Sequence, residues 1–188
     1  MITIGLIRHG LTDWNEEGRI QGSIDIPLND KGKWMAKRLA NRLRCRQWDT
    51  IYTSPLQRAQ MTAHIIADDQ QSVPIHIDGR LKEIGEGKLE ATTEQDRIAR
   101  WGENWFDVPL GREAIHLVHE RARFFLEDLE KSGAKSVLIV SHGSFIEELL
   151  VVLGVKPNHA TELHNGSLTI VEYGEKQRCI SYNCIKHL

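Results

Sequence analysis

Apolar positions along the chain follow two periods. The aliphatic and β-branched runs Ile2-Thr3-Ile4-Gly5-Leu6-Ile7 and Ser136-Val137-Leu138-Ile139-Val140 end in polar, glycine-containing segments and read as buried strands. A shorter run, Thr50-Ile51-Tyr52-Thr53, is followed by Ser54 and Pro55, where serine can cap a helix and proline fits its first position. Residues 167–173 and 179–184 give two more strand candidates. Helical spacing fills the intervals. Met35, Leu39 and Leu43 mark one apolar face; Leu56, Ala59, Ala63 and Ile66 a second; and Ile115, Val118, Ala122, Phe125 and Leu129 a third. Phe145, Ile146, Leu149, Leu150 and Leu153 form a more apolar helix expected to pack on the sheet. Strands alternating with helices predict an α/β sandwich with a largely parallel sheet, its last two strands free to pair antiparallel. The segment 85–111, with Trp101, Trp105 and Phe106 among many charges, fits this rhythm least and reads as a partly helical excursion.

Composition narrows the class. At 188 residues, 40% hydrophobic and 27% charged, the chain is one ordinary globular domain, 1–188, with no repeat or linker to divide it. A formal charge of −2 provides no broad cationic field for nucleic acid. No apolar run approaches the ~18 residues a membrane span needs, and no leader pattern opens the chain, so a cytoplasmic, soluble protein is expected. Cys45, Cys179 and Cys184 lack C-x-x-C spacing and imply neither a disulfide framework nor a zinc site.

Three polar segments share one grammar: Arg8-His9-Gly10, Ser54-Pro55-Leu56-Gln57-Arg58 and Ser141-His142-Gly143 each stand where a predicted strand ends. In open α/β sheets that edge is the ligand crevice, and helix N-termini there offer N–H groups to anions. If the segments converge, two arginines, two histidines and backbone donors meet in one place, a natural phosphate site. Arg58 falls in a first helical turn, where its cation opposes the positive end of the macrodipole unless an anion is near.

These residues resemble the histidine phosphatase superfamily, the phosphatases and cofactor-dependent phosphoglycerate mutases marked by an N-terminal R-H-G. Residues 6–15 resemble its signature, and residues 25–32 resemble its D-x-P-L-x-x-x-G stretch. Residues 54–63, Leu81-Lys82-Glu83 and Val140-Ser141-His142-Gly143 resemble the later blocks, in the family's order. The resemblance implies a three-layer α/β/α sandwich. It implies that His9 attacks phosphorus to form a phosphohistidine, that Arg8, Arg58 and His142 hold the equatorial oxygens, and that Glu83 is the proton donor. Asn15, Gln21 and Gly22 then line the phosphate or substrate pocket. The chemistry is coherent without a metal or cofactor: cations stabilise the spread charge of a loose transition state, and a positioned acid helps a poor alkoxide leave.

Within the family, the shorter chain and Glu83-Ile84-Gly85-Glu86 in place of the mutases' E-R-x-Y favour hydrolysis of a small phosphomonoester over phosphoryl transfer between glycerate hydroxyls. A non-catalytic phospholigand-binding protein is the alternative of another class. Leu11, Met35, Ala91, Arg112 and Ala114 depart from the family pattern, Ala91 standing where glycine is expected. His116 and His119 lack a third ligand for a metal and read as a solvated helix face. His64, His76, His159 and His187 have no evident partner, while His164 precedes a turn beside the pocket. Trp101, Trp105 and Phe106 are a candidate apolar wall for the leaving group.

Overall fold

A computed structural model describes residues 1–70, 73–156 and 162–188. Its elements are β1 (Ile2–Arg8), α1 (Asp13–Glu16), α2 (Asp30–Leu43), β2 (Thr50–Thr53), α3 (Gln57–Asp69), β3 (Ile75–Ile77), α4 (Glu94–Trp101), α5 (Ile115–Lys131), β4 (Ser136–Ser141), α6 (Gly143–Val152), β5 (Leu168–Tyr173) and β6 (Arg178–Cys184). They build one six-stranded sheet in the order β3-β2-β4-β1-β5-β6. The first four of these pair in parallel, whereas β5 runs antiparallel to β1 and β6 antiparallel to β5.

Alternation along the strands sorts the core into two layers. Ile4, Leu6, Val137 and Ile139 pack with Val118, Phe125 and Leu129 of α5 and Phe145, Leu149 and Leu150 of α6. Ile7, Ile51, Leu138 and Val140 face the other way, onto Leu39 and Leu43 of α2 and Ala59, Ala63 and Ile66 of α3. The sheet is thus covered on both faces, as expected of a parallel α/β sandwich. β3 escapes the periodicity because it is three residues long, follows Pro74 and is only partly buried. The excursion contains α4, opened by a capping box between Thr93 and Asp96, together with short 3₁₀ turns at Gly87–Leu89 and Trp105–Asp107.

Two corrections concern helix starts and imidazoles. Helix α3 begins at Gln57, so Pro55 precedes it and Ser54 is not its side-chain cap; the N-cap position is Leu56, which bonds nothing through its side chain. Ser54 Oγ instead accepts from Leu56 N at 3.2 Å and meets His142. His119 is not simply solvated: its Nε2 lies 2.5 Å from Glu148 Oε2, tying α5 to α6. His187 is buried with Nε2 on the Gly166 carbonyl and Nδ1 facing Arg42, so it anchors the C-terminal residues. His64, His76 and His116 are exposed, and His159 lies outside the described residues.

Close backbone approach sets the loop after β1. A Cβ on Gly10 would meet the Gly32 carbonyl oxygen at 2.5 Å, and one on Gly32 would meet Leu11 O at 2.1 Å. The start of α2 therefore lies directly against the loop carrying His9.

Candidate active site

The parallel register aligns the carboxyl ends of three neighbouring strands. Arg8 pairs with Ser141, and Thr53 with Val140, so the segments that begin at 8, 54 and 141 emerge side by side. They open onto a cavity of about 900 Å³, whose walls include Arg8, His9, Asn15, Gln21, Gly22, Arg58 and Glu83. His142 does not reach that surface; it is fully buried behind it, with its ring centroid 5.2 Å from that of His9.

Each imidazole has a defined tautomer. His9 Nδ1 lies 2.6 Å from the Gly10 carbonyl, which can only accept, so the proton sits on Nδ1 and Nε2 keeps its lone pair. Burial, then the Arg58 and Arg8 guanidinium groups, hold His9 well below the ordinary histidine range; the Gly10 carbonyl pulls weakly the other way. The ring is therefore neutral at physiological pH. Arg58 Nε donates to His142 Nδ1 at 3.2 Å, leaving the His142 proton on Nε2, 2.8 Å from Ser54 Oγ. Burial and Arg58 also hold His142 well below its usual value.

The two arginines are clamped differently. Arg8 donates through Nη1 to the Leu163 carbonyl, while its Nε is buried without a partner among the described residues. Arg58, 1% exposed, donates to Ile24 O at 2.7 Å and Gly22 O at 2.8 Å. Burial draws Arg58 down to about 10, partly offset by Glu83 and Asp25, so it still carries its charge near neutrality.

The backbone donors expected to bind an anion are already taken by the protein's own carboxylates. Asp25 Oδ1 accepts from Gln57 N at 2.6 Å at the head of α3, which also eases the clash between Arg58 and the helix dipole. Glu83 Oε1 accepts from Phe145 N and from Ile84 N, each at 2.9 Å, and Oε2 from Ser144 N at 3.3 Å at the head of α6. Despite these bonds and both arginines, burial dominates and Glu83 is pushed above the usual carboxylate range.

Asn15, Gln21 and Gly22 serve the frame as well as the wall. Gly22, at φ +50°, turns its carbonyl onto Arg58. The Thr12 hydroxyl lies 3.0 Å from Gln21 Oε1, and Asn15 Oδ1 accepts from Asn165 Nδ2 at 3.2 Å. Asn165, which also donates to His9 O at 3.2 Å, was not legible as a site residue; its Asn-Gly dipeptide signals only a turn. Thr62 is another such residue, accepting Gly10 N at 3.1 Å. Ala91 has φ +64°, the left-handed conformation that a glycine would take without strain. Among the described residues, no group of three His, Cys, Asp or Glu is placed to hold a metal, and no helix is long and apolar enough to cross a membrane.

A buried imidazole, two guanidinium groups and a carboxyl thus share the wall of one cavity. The model of the histidine phosphatase superfamily, branch 1, matches residues 4–184, and the chain belongs to that family. It is 35% identical, over its full length and 97% of the relative's, to the uncharacterized phosphatase PhoE of Bacillus subtilis. It is 36% identical to the probable phosphoglycerate mutase GpmB of Yersinia enterocolitica, over 93% of this chain and 86% of that one. A phosphoserine phosphatase from Entamoeba histolytica, solved as its H9A mutant with phosphoserine, is 30% identical, with a TM-score of 0.81 over the full length of both chains.

Proposed function

We propose that this chain hydrolyses small phosphomonoesters through a phosphohistidine on His9. The observation that carries this reading is the neutral His9 ring, fixed through Nδ1, in the wall of a cavity it shares with Arg8, Arg58 and Glu83. In the first displacement, Nε2 bonds to phosphorus as the ester P–O bond breaks, and the Glu83 proton passes to the departing alkoxide. Oε1 already accepts two backbone N–H groups, so Oε2 is the oxygen that holds the proton. In the second, a water attacks phosphorus while the Glu83 carboxylate takes its proton, the P–N bond breaks and phosphate leaves.

Arg8 and Arg58 meet the charge that spreads over the equatorial oxygens. His142 keeps the edge of Arg58 in place through Nδ1, and its Nε2–H is a donor that can pass from the Ser54 hydroxyl to a phosphoryl oxygen. Asn15, Gln21 and Gly22 hold the loop and the clamp on Arg58. Hydrolysis is preferred to transfer because Ile84 and Glu86 stand where the mutases carry arginine and tyrosine, and Glu86 is engaged by Arg112 at 2.7 Å. The similarity to a protein named as a probable mutase makes that the reading to exclude.

The test is release of phosphate from p-nitrophenyl phosphate with EDTA present, comparing wild type with His9→Ala. Activity that vanishes in the variant is expected; equal background rates would point to a phospholigand-binding protein. Rapid isomerisation of 3-phosphoglycerate with catalytic bisphosphoglycerate, without phosphate release, would make the chain a mutase.

A further inference from the structure

Of the aromatic wall expected of the excursion, Trp105 lines the cavity, whereas Trp101 and Phe106 do not. A denser construction surrounds Glu83. Residues 82–86 belong to no helix or strand, so other groups must satisfy and fix their backbone. Arg121 of α5 donates through Nη1 to the carbonyls of Arg80 and, at 2.8 Å, of Lys82, the residue before Glu83. Its Nε and Nη2 grip the two carboxylate oxygens of Glu113 at 3.0 and 3.2 Å. Glu113 Oε2 in turn accepts from Gly85 N at 3.1 Å, and Glu113 N donates to Gly85 O at 2.7 Å. One ion pair therefore holds the chain on both sides of Glu83.

The same guanidinium reaches the other support of the carboxyl. Its central carbon lies 4.4 Å from the ring centroid of Phe145, a fully buried residue whose N–H donates to Glu83 Oε1. Arg121 thus bears both on the loop that carries Glu83 and on the head of α6 that seats it. Neither Arg121 nor Glu113 lines the cavity, so neither touches a substrate bound there. Their side chains are only 16% and 25% exposed, and the bidentate fork gives the pair a fixed direction as well as an attraction. Ser141 Oγ separately donates to Leu81 O at 2.7 Å, which ties the start of the loop to β4 without Arg121.

We propose that Arg121, locked to Glu113, is a positioning residue that fixes the reach of Glu83 into the cavity and so serves proton transfer from outside it. This rests on the hydrolase reading above. Glu83 must present one oxygen first to the leaving alkoxide and then to the attacking water, and a misplacement of about 1 Å can cost about 10² in rate. Loosening the brace therefore slows the two steps in which Glu83 moves a proton. It spares the displacement of a nitrophenolate, which leaves unaided.

The experiment is rapid-mixing kinetics on p-nitrophenyl phosphate and glycerol 3-phosphate. It compares wild type with Arg121→Met, which removes the fork, with Glu113→Gln, which removes the ion pair but keeps an acceptor for Gly85 N, and with Arg121→Lys. Arg121→Met should slow the first turnover of glycerol 3-phosphate, and nitrophenyl turnover after the burst, by roughly 10- to 100-fold, in kcat rather than KM, while release of the first nitrophenolate stays within about threefold. The burst amplitude counts folded sites. Glu113→Gln should show a smaller loss with the same split, and Arg121→Lys should recover part of the rate. In a Glu83→Gln background, Arg121→Met should change turnover after the burst by less than about twofold, because the group it positions is gone. Equal slowing of the first turnovers of both esters, no slowing of either, or an undiminished further loss in the Glu83→Gln background would overturn the positioning role and leave hydrolysis standing. A wild type inert toward p-nitrophenyl phosphate would overturn the hydrolase reading and this one with it.

Discussion

In the proposed mechanism, replacing Glu83 by glutamine removes proton transfer while keeping the two shorter bonds that seat the side chain. Glutamine Oε1 can still accept from Ile84 N and Phe145 N, the two 2.9 Å bonds that seat the carboxyl, so the junction with α6 survives. What is lost is the transferable proton, together with the longer 3.3 Å acceptance from Ser144 N. For an alkyl phosphate, whose alkoxide leaves poorly, a positioned acid is worth about 10² to 10⁴ in rate, or about 2.7 to 5.4 kcal/mol of barrier. A nitrophenolate leaves without that help, so the first displacement on p-nitrophenyl phosphate should change by less than about tenfold. The second displacement still needs a base to take a proton from water. Glu83→Gln should therefore show a burst of about one nitrophenolate per enzyme followed by slow turnover, while an alkyl ester gives almost no first turnover. Rapid-mixing kinetics on both esters reads this directly. If both slow equally in the first turnover, Glu83 is not the acid.

The same substitution makes a stability prediction of definite sign. Burial raises the native Glu83 pKa above its unfolded value, so between the two values the native state holds the extra proton. The carboxyl contributes fully below the unfolded value, and its contribution is lost as pH rises through the native one. Glu83→Gln should be more stable than wild type at neutral pH, with the advantage shrinking on acidification; urea titrations at several pH values decide it.

His9 and His142 carry the opposite sign. Their native values lie well below the ordinary one, so unfolded imidazoles take up protons first as pH falls below about 6.5, and stability declines by up to about 1.4 kcal/mol per pH unit for each ring. His9→Ala should flatten that acid slope in urea unfolding, and an unchanged slope would refute the account. At Ala91, relief of a φ of +64° less the extra freedom glycine gains in the unfolded chain leaves Ala91→Gly more stable by about 0.5 to 1 kcal/mol; a lower urea midpoint would show that the side chain contributes more than the strain costs.

What was legible in the sequence was local. β1 and β4 are runs of aliphatic residues buried on both faces, and such runs announce themselves; β3 has three residues, half in solvent, and is made a strand by β2 beside it. Arg8, His9 and Arg58 stand at strand ends or a first helical turn, so the topology rule alone placed them at one edge. Ser54 shows the limit. Its neighbours suggested a helix cap, yet its partner is His142, 88 positions away. Asn165 reaches His9 across 156 positions, and nothing near either residue encodes that meeting. Arg97 reads locally as one charge among many on an amphipathic helix, and only the fold reveals that it is buried against Trp105.

Burial shifts His9 and Glu83 in opposite chemical directions with a single physical cause. Removing water disfavours charge, which lowers the pKa of an imidazole and raises that of a carboxyl. That favours the neutral His9 ring and the protonated Glu83 carboxyl, the two forms the proposed route requires. The arginines do not act so evenly: they reinforce the effect on His9 and oppose it on Glu83. In the proposed mechanism the acid therefore depends on dryness more than the nucleophile does. A substitution that wets the crevice without touching either group would bring the Glu83 pKa down toward its ordinary value, while Arg58 and Arg8 would still oppose protonation of His9. Its signature would be loss of alkyl-ester hydrolysis on the alkaline side, with the nitrophenyl burst preserved.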